Sequence, residues 1–308
     1  MTAVAAPVTP ELIRTVAVSI RDALRDGVVA RMLVPPRETV SDEAGTKFIS
    51  MPAISPDFDL YINKVATIAP GSAGGSTVTA VVPMFAASSG RYLGTLDGAE
   101  VTNLKCAAVT ALVTDVCAAP GSRVLGILGA GVQARQQFLG VSAVRDLAEV
   151  RIYSRDPGRA AMFAAEVAAV AAVEVVVCES AEQVSHGVDV LSTATTSTVP
   201  LPISARLPAH AHINCMGAHT TESREVPAEL LSAGVLIVEE LRTAVAEAGE
   251  SHAGAIELGL LVTAQAADLW RGRTVFASTG CAYLDLITCA QLVGRRTGTH
   301  VSEQEVEQ

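Results

Sequence analysis

Aromatic residues make up only 4% of this 308-residue chain, and no two of its six cysteines stand at C-x-x-C spacing. Cys106, Cys117, Cys178, Cys215, Cys281 and Cys289 are scattered through apolar stretches. They read as reduced core residues, so neither a disulfide framework nor a structural zinc site is expected. His210-x-His212 stands at the entrance to the strand-like HINCMG and reads as structural. Positive charge is scarce as well: 22 Lys and Arg against 32 Asp and Glu give a net charge of −10, with no basic cluster. That balance argues against nucleic acid or an anionic membrane as a partner. No apolar run reaches membrane-spanning length without a charge or breaker, and residues 1–15 lack a basic segment followed by an apolar core. A cytoplasmic protein is expected. Neither an internal repeat nor a low-complexity tract is visible.

What the chain does have is hydrophobic residues, at 50%, with many Ala and Val. Such side chains suit helices packed closely on parallel strands, and the length suffices for two domains. The most informative segment is VLGILGAGVQA, residues 124–134, where an apolar run breaks into Gly129-x-Gly131-x-x-Ala134 and then a helix-forming stretch. A dinucleotide pyrophosphate must approach the backbone where strand turns into helix, and side chains at those glycines would hold it off. Free N–H groups and the dipole at the helix N-terminus then favour the phosphate charge. A second β-like run, residues 150–153, follows at the spacing of a βαβ unit, which raises the motif above a bare glycine pattern.

The end of that second strand selects the cofactor. A carboxylate there accepts hydrogen bonds from ribose hydroxyls, whereas a 2′-phosphate needs a donor or a cation. This chain has Ser154-Arg155, so NADP(H) is the preferred cofactor. Asp156 is the competing detail, since one register error would move a carboxylate into the pocket, and NAD(H) stays as the alternative.

Along the chain, Thr9 as N-cap, Pro10, Glu11 and the spacing of Leu12, Ile13, Val16, Ile20 and Leu24 predict a first helix. Residues 46–50, 60–68, 77–85 and 92–96 predict an antiparallel sheet, with residues 71–76 as a loop. Residues 100–118 predict a long apolar helix joining two domains. Alternating strands at 124–128, 150–153, 173–177, 188–192, 212–216 and 235–239 then predict a doubly wound parallel sheet, with residues 192–196 on its ligand-binding rim. Only the tail, residues 302–308, reads as frayed.

Several phrases together resemble the ornithine cyclodeaminase/μ-crystallin family: Met51-Pro52 followed by Lys64, TNLKCAA at 102–108, GAGVQARQ at 129–136, HINCMGAHT at 212–220 and TVFASTGCAYLDL at 274–286. The likeness spans nearly the whole chain. It implies an α/β architecture: a Rossmann domain over residues 118–286, and an α+β substrate-binding and dimerisation domain over 1–117 and 287–308. It also implies a homodimer formed through the substrate-domain sheets, and a small α-amino or α-imino acid as substrate. By resemblance Arg37, Lys64 and Lys105 hold the substrate carboxylate, and Lys64 is a catalytic candidate. Lys105 has independent support: it is the only charge between Glu100 and Asp115, and a buried ammonium needs an anion. Besides Gly129, Gly131, Ser154 and Arg155, the candidate cofactor contacts are Thr79, Val132, Gln133, Ala194, Thr195, Met216 and Ser278.

The chain departs from the family's deaminating branch at its acids. His219 stands in MGAH where that branch has an Asp, Ile49-Ser50 replaces an acidic group before Met-Pro, and Lys105 replaces an Arg. Cyclodeamination needs a well-placed base to oxidise an amine. Reduction of a ketimine asks for a carboxylate anchor, a reduced nicotinamide and one proton donor, for which His219 is suited near neutral pH. The expectation is an NADP(H)-dependent reductase of a cyclic imino acid such as Δ1-pyrroline-2-carboxylate or Δ1-piperideine-2-carboxylate. A cyclodeaminase or amino-acid dehydrogenase, and a non-catalytic NADPH-dependent binding protein, are the alternatives. Asp285 is left with two roles, seating the amine or Lys64, or capping the next helix.

Overall fold

The computed structural model describes residues 8–69, 78–217, 220–263 and 269–297. The expected loop 71–76 and the frayed tail lie outside the described residues. The chain divides into two compact units, one built on Arg31–Val101 with the segment that begins at Ala282, the other on Thr102–Cys281 with the first helix.

That helix, α1 (Pro10–Arg25), starts as its sequence dictates: the Thr9 hydroxyl accepts the Leu12 N–H at 3.2 Å, with Pro10 in the first turn. Five antiparallel strands follow in chain order: β1 (Glu38–Ser41), β2 (Lys47–Ser55), β3 (Leu60–Ile68), β4 (Val78–Ala86) and β5 (Tyr92–Asp97). The edge strand β1 is unforeseen because all four of its residues are exposed, so no alternation marks it. On β3 the alternation is plain: Leu60, Ile62, Lys64 and Ala66 share the buried face. Pairing of β3 with β4 lapses between Ile62↔Met84 and Val65↔Val81, opposite Pro83, which has no N–H to give.

The linking helix α2 (Gly98–Cys117) begins two residues earlier than expected, because the Asp97 carboxylate accepts the N–H groups of Ala99 and Glu100 at 2.9 and 3.0 Å. The parallel sheet then builds from β6 (Val124–Leu128), α3 (Val132–Ser142), β7 (Glu149–Tyr153), α4 (Pro157–Val170), β8 (Glu174–Val177), α5 (Ala181–Ser185), β9 (Val190–Thr193), β10 (His212–Cys215), α6 (Ala228–Ser232), β11 (Val235–Val238), α7 (Leu241–Ala248), β12 (Ile256–Glu257), α8 (Leu258–Thr263) and β13 (Thr274–Ala277). Its order is β12-β11-β13-β10-β9-β6-β7-β8. The chain runs outward from β6 in one direction and returns to β9 on its other side, so the carboxyl ends of β6 and β9 flank a topological switch point. β13 inserts between β10 and β11, and β12 forms the edge; neither is among the six expected strands. At two residues, β12 is too short for periodicity to announce it.

α1 packs on α8 and α3, and Arg14 donates to the Ala143 carbonyl at 3.0 Å. It therefore clusters with the parallel-sheet unit, whereas the sequence assigned it to the other domain. The last helix, α9 (Ala282–Thr297), lies on β2 and β3 in the antiparallel unit.

His212 on β10 is wholly buried, with Nδ1 2.8 Å from the Thr274 hydroxyl and Nε2 3.1 Å from Asn214 Oδ1. Asn214 gives its amide N–H to Thr114, so its oxygen accepts from His212 Nε2–H and the Thr274 hydroxyl donates to Nδ1. Burial drives the imidazole pKa down to about 4. Unfolded, the same ring protonates near 6.5, so the unfolded chain binds the extra proton between those values. Stability should therefore be level above pH 6.5 and fall as pH drops to about 4, by roughly 3 kcal/mol in all. Urea unfolding at pH 7.5, 5.5 and 4.5 checks this, with the extra acid sensitivity absent from a His212→Gln variant.

Candidate cofactor and substrate sites

A cavity of about 240 Å³ opens at the carboxyl ends of β6, β7 and β9. Gly129 to Gly131 form one wall, Tyr153 to Asp156 with Arg159 a second, and Ala194 to Ser197 a third. The first turn is made by backbone conformation. Gly129 has φ +118°, and a Cβ on it would overlap the Ala194 carbonyl oxygen. Gly131 is the N-cap of α3, has no side-chain cap bond, and faces open space where its Cβ would stand. The N–H groups at the start of α3 are thus unclaimed by any capping side chain, as an anion site requires. These residues fit a dinucleotide pyrophosphate.

At the second wall the Asp156 carboxylate caps α4, accepting the N–H groups of Gly158 and Arg159 at 2.9 and 3.2 Å. Both bonds end on Oδ1, and Asp156 lines the cavity beside Ser154 and Arg155. Arg159 is a second cation on this wall, missed by the sequence reading. The signal was there: Asp156-Pro157 is a helix start, which places Arg159 in the first turn, four residues after Arg155.

The third wall is stapled from behind. Glu225 is fully buried, and its carboxylate accepts the Thr195 N–H at 2.6 Å, the Thr195 hydroxyl, and the Thr193 hydroxyl at 2.9 Å. Burial raises its pKa in spite of these bonds. A Cβ on Gly217 would collide with that carboxylate, so glycine in the CMG phrase makes room for it. No local pattern reveals Glu225, whose partners lie about thirty residues away.

Of the candidate cofactor contacts, Gly129, Gly131, Ser154, Arg155, Ala194 and Thr195 line this cavity. Val132 is exposed in the first turn of α3. Gln133 turns its amide N–H to Asn103 on α2 at 3.2 Å. Met216 continues β10, with its N–H on the Thr193 carbonyl. The Ser278 hydroxyl donates to Glu239, which also accepts the N–H groups of Thr279 and Gly280 at 3.1 and 3.2 Å. Thr79 belongs to β4 in the antiparallel unit, opposite Thr67. His219 lies outside the described residues.

Lys105 is 4% exposed on α2, and its Nζ lies 3.6 Å from the point where a Cβ on Gly280 would stand. Glu239 therefore shapes the turn against which Lys105 ends. In the antiparallel unit, Lys64 is 6% exposed, and its Nζ donates to Asp285 Oδ2 at 2.7 Å. Asp285, in the first turn of α9, thus takes the first of its two expected roles with respect to Lys64. Arg37 is half-buried just before β1. All six cysteines are free, and five are buried. Among the described residues no cluster of His, Cys, Asp or Glu could hold a metal, and no helix is long and apolar enough to cross a membrane.

The ornithine cyclodeaminase/mu-crystallin family model matches residues 8–298. The chain is 35% identical over 249 residues to the ketimine reductase mu-crystallin of Rattus norvegicus, covering 79% of this chain and 78% of that one. It is 26% identical to a Delta(1)-pyrroline-2-carboxylate reductase of Bacillus cereus, with 92% of each chain covered. Among solved structures, the Thermococcus litoralis Delta(1)-pyrroline-2-carboxylate reductase in complex with NADH and L-proline superposes with a TM-score of 0.82 at 26% identity, over 94% of this chain and 96% of that one.

Proposed function

The chain belongs to the ornithine cyclodeaminase/mu-crystallin family, and we propose that it is an NAD(P)H-dependent reductase of a small cyclic imino acid, converting Δ1-pyrroline-2-carboxylate or Δ1-piperideine-2-carboxylate to proline or pipecolate. The observation that carries this reading is the cavity at the Gly129 turn, which suits a redox dinucleotide, in a chain whose relatives include ketimine and pyrroline-2-carboxylate reductases. When bound, the reduced nicotinamide supplies hydride to the imine carbon. The cations we assign to the substrate carboxylate are Lys64, Lys105 and Arg37, since charge-assisted bonds from fixed cations orient the α-carbon. His219 is the proton donor we assign to the ring nitrogen. Steady-state assays with NADPH and the two cyclic imines test the reading. Absence of turnover with both at saturating cofactor, or ammonia release from ornithine without net cofactor change, would overturn it.

NADP(H) is our preferred cofactor. Ser154, Arg155 and Arg159 offer a hydroxyl and two cations on one wall, and the nearby Asp156 is held by its capping bonds. Arg155→Ala and Arg159→Ala should each raise the KM for NADPH about 10-fold and leave that for NADH within about 2-fold. Equal effects on both cofactors would remove the 2′-phosphate assignment.

We also propose a homodimer through the outer face of the antiparallel sheet. Phe48, Val65, Val81 and Tyr92 are exposed there, beside Tyr61 and Phe85 in a tilted aromatic row. A contiguous apolar patch of this kind is unusual on a monomer. Val65→Asp/Val81→Asp should shift the mass measured by light scattering from dimer to monomer. The free thiols suit the reducing cytoplasm expected for the protein.

A further inference from the structure

We propose that Asp285 is the acceptor for the substrate's nitrogen, so that the Lys64–Asp285 pair reads a carboxylate and an adjacent N–H together and selects amino or imino acids over analogues that lack the N–H. The pair is buried but incompletely satisfied. Asp285 spends Oδ2 on Lys64, while Oδ1 is buried and has no hydrogen-bond partner. Lys64 has three N–H donors, and among the described residues one is used, on Asp285. Of the three lysines in the chain, Lys47, Lys64 and Lys105, two are buried, Lys64 and Lys105, and burial is exceptional for this residue type.

A buried polar atom without a partner is destabilising, and more so on a carboxylate, so Oδ1 calls for a donor. Here a spare acceptor and spare donors lie side by side where β3 meets the first turn of α9. The ligand that completes both is one whose carboxylate sits on the carbon next to an N–H-bearing nitrogen: its oxygen accepts from Lys64 and its nitrogen donates to Asp285 Oδ1. The inference rests on the substrate class proposed above and deepens it, since it names the residue that distinguishes nitrogen from oxygen in the ring.

The test is calorimetric titration of the NADP+-saturated protein with L-proline and with (S)-tetrahydro-2-furoate, which has the same ring and carboxylate but an ether oxygen in place of N–H. Wild type should prefer proline by at least about 30-fold, because the furoate turns a lone pair toward Asp285 and leaves its oxygen unpaired. In Asp285→Asn the amide oxygen must serve Lys64, which turns its NH2 toward the ligand nitrogen. Proline affinity should then fall about 10-fold or more, with the furoate within about 3-fold of its wild-type value. Wild type binding both ligands equally, or Asp285→Asn keeping the proline preference, overturns the assignment. The wild-type comparison decides by itself if the variant does not fold. Failure of the cyclic-imine reading is seen separately. If neither imine is turned over but L-alanine is preferred to pyruvate in an Asp285-dependent way, the ring is wrong and the acceptor stands; if no such preference exists, both fall.

Discussion

Gly129→Ala is expected to abolish measurable NADPH binding, with an affinity loss of at least about 100-fold in a fluorescence titration. At φ +118° an L side chain is strained by about 1–3 kcal/mol. The added methyl would also overlap the Ala194 carbonyl oxygen, which forms the facing wall of the cavity. The turn can relieve that overlap only by moving away from the end of β9, which dismantles the cavity. Gly131→Ala supplies the contrast. Its φ is an ordinary −96°, and its Cβ meets nothing within 4 Å. The variant should unfold at the wild-type urea midpoint, yet bind NADPH about 10- to 100-fold more weakly, because the methyl occupies space the pyrophosphate needs. Wild-type affinity in Gly131→Ala would show that the phosphate does not approach the backbone there.

Lys64→Met is the second large effect. Removing the ammonium leaves Asp285 as a buried, uncompensated carboxylate, which should lower stability by about 3–5 kcal/mol in urea unfolding. Turnover of the cyclic imine should fall at least about 1,000-fold in kcat/KM, since the substrate loses a fixed cation and a catalytic candidate at once. Lys64→Met/Asp285→Leu separates the two losses. Replacing both charges with apolar groups should recover most of the stability, because the desolvation penalty disappears with the pair, while activity stays lost. Recovery of both would reduce Lys64 to a structural residue.

The glycine turn, the first helix and the strands β6 to β11 were legible because each is encoded locally. A positive-φ glycine, an N-cap three residues before its partner N–H and an apolar run ending at a turn need no distant residue to be recognised. Arg159 was nearly legible, through the Asp156-Pro157 helix start. Glu225 was not, because a buried carboxylate is tolerable only where hydrogen-bond donors surround it, and its donors belong to the far side of the β9–β10 crossover.

By itself, then, the sequence determined that a dinucleotide-type turn exists, where its glycines lie, and which polar residues follow the second strand, since backbone sterics and side-chain periodicity act over a few residues. Tertiary structure alone decided that β13 enters between β10 and β11, that Glu225 braces the cavity wall, and that Lys64 meets Asp285 from 221 residues away. Those outcomes depend on which buried charge finds a partner once the strands and helices have packed. That choice rests on desolvation and geometry in the assembled core, to which no local pattern gives access.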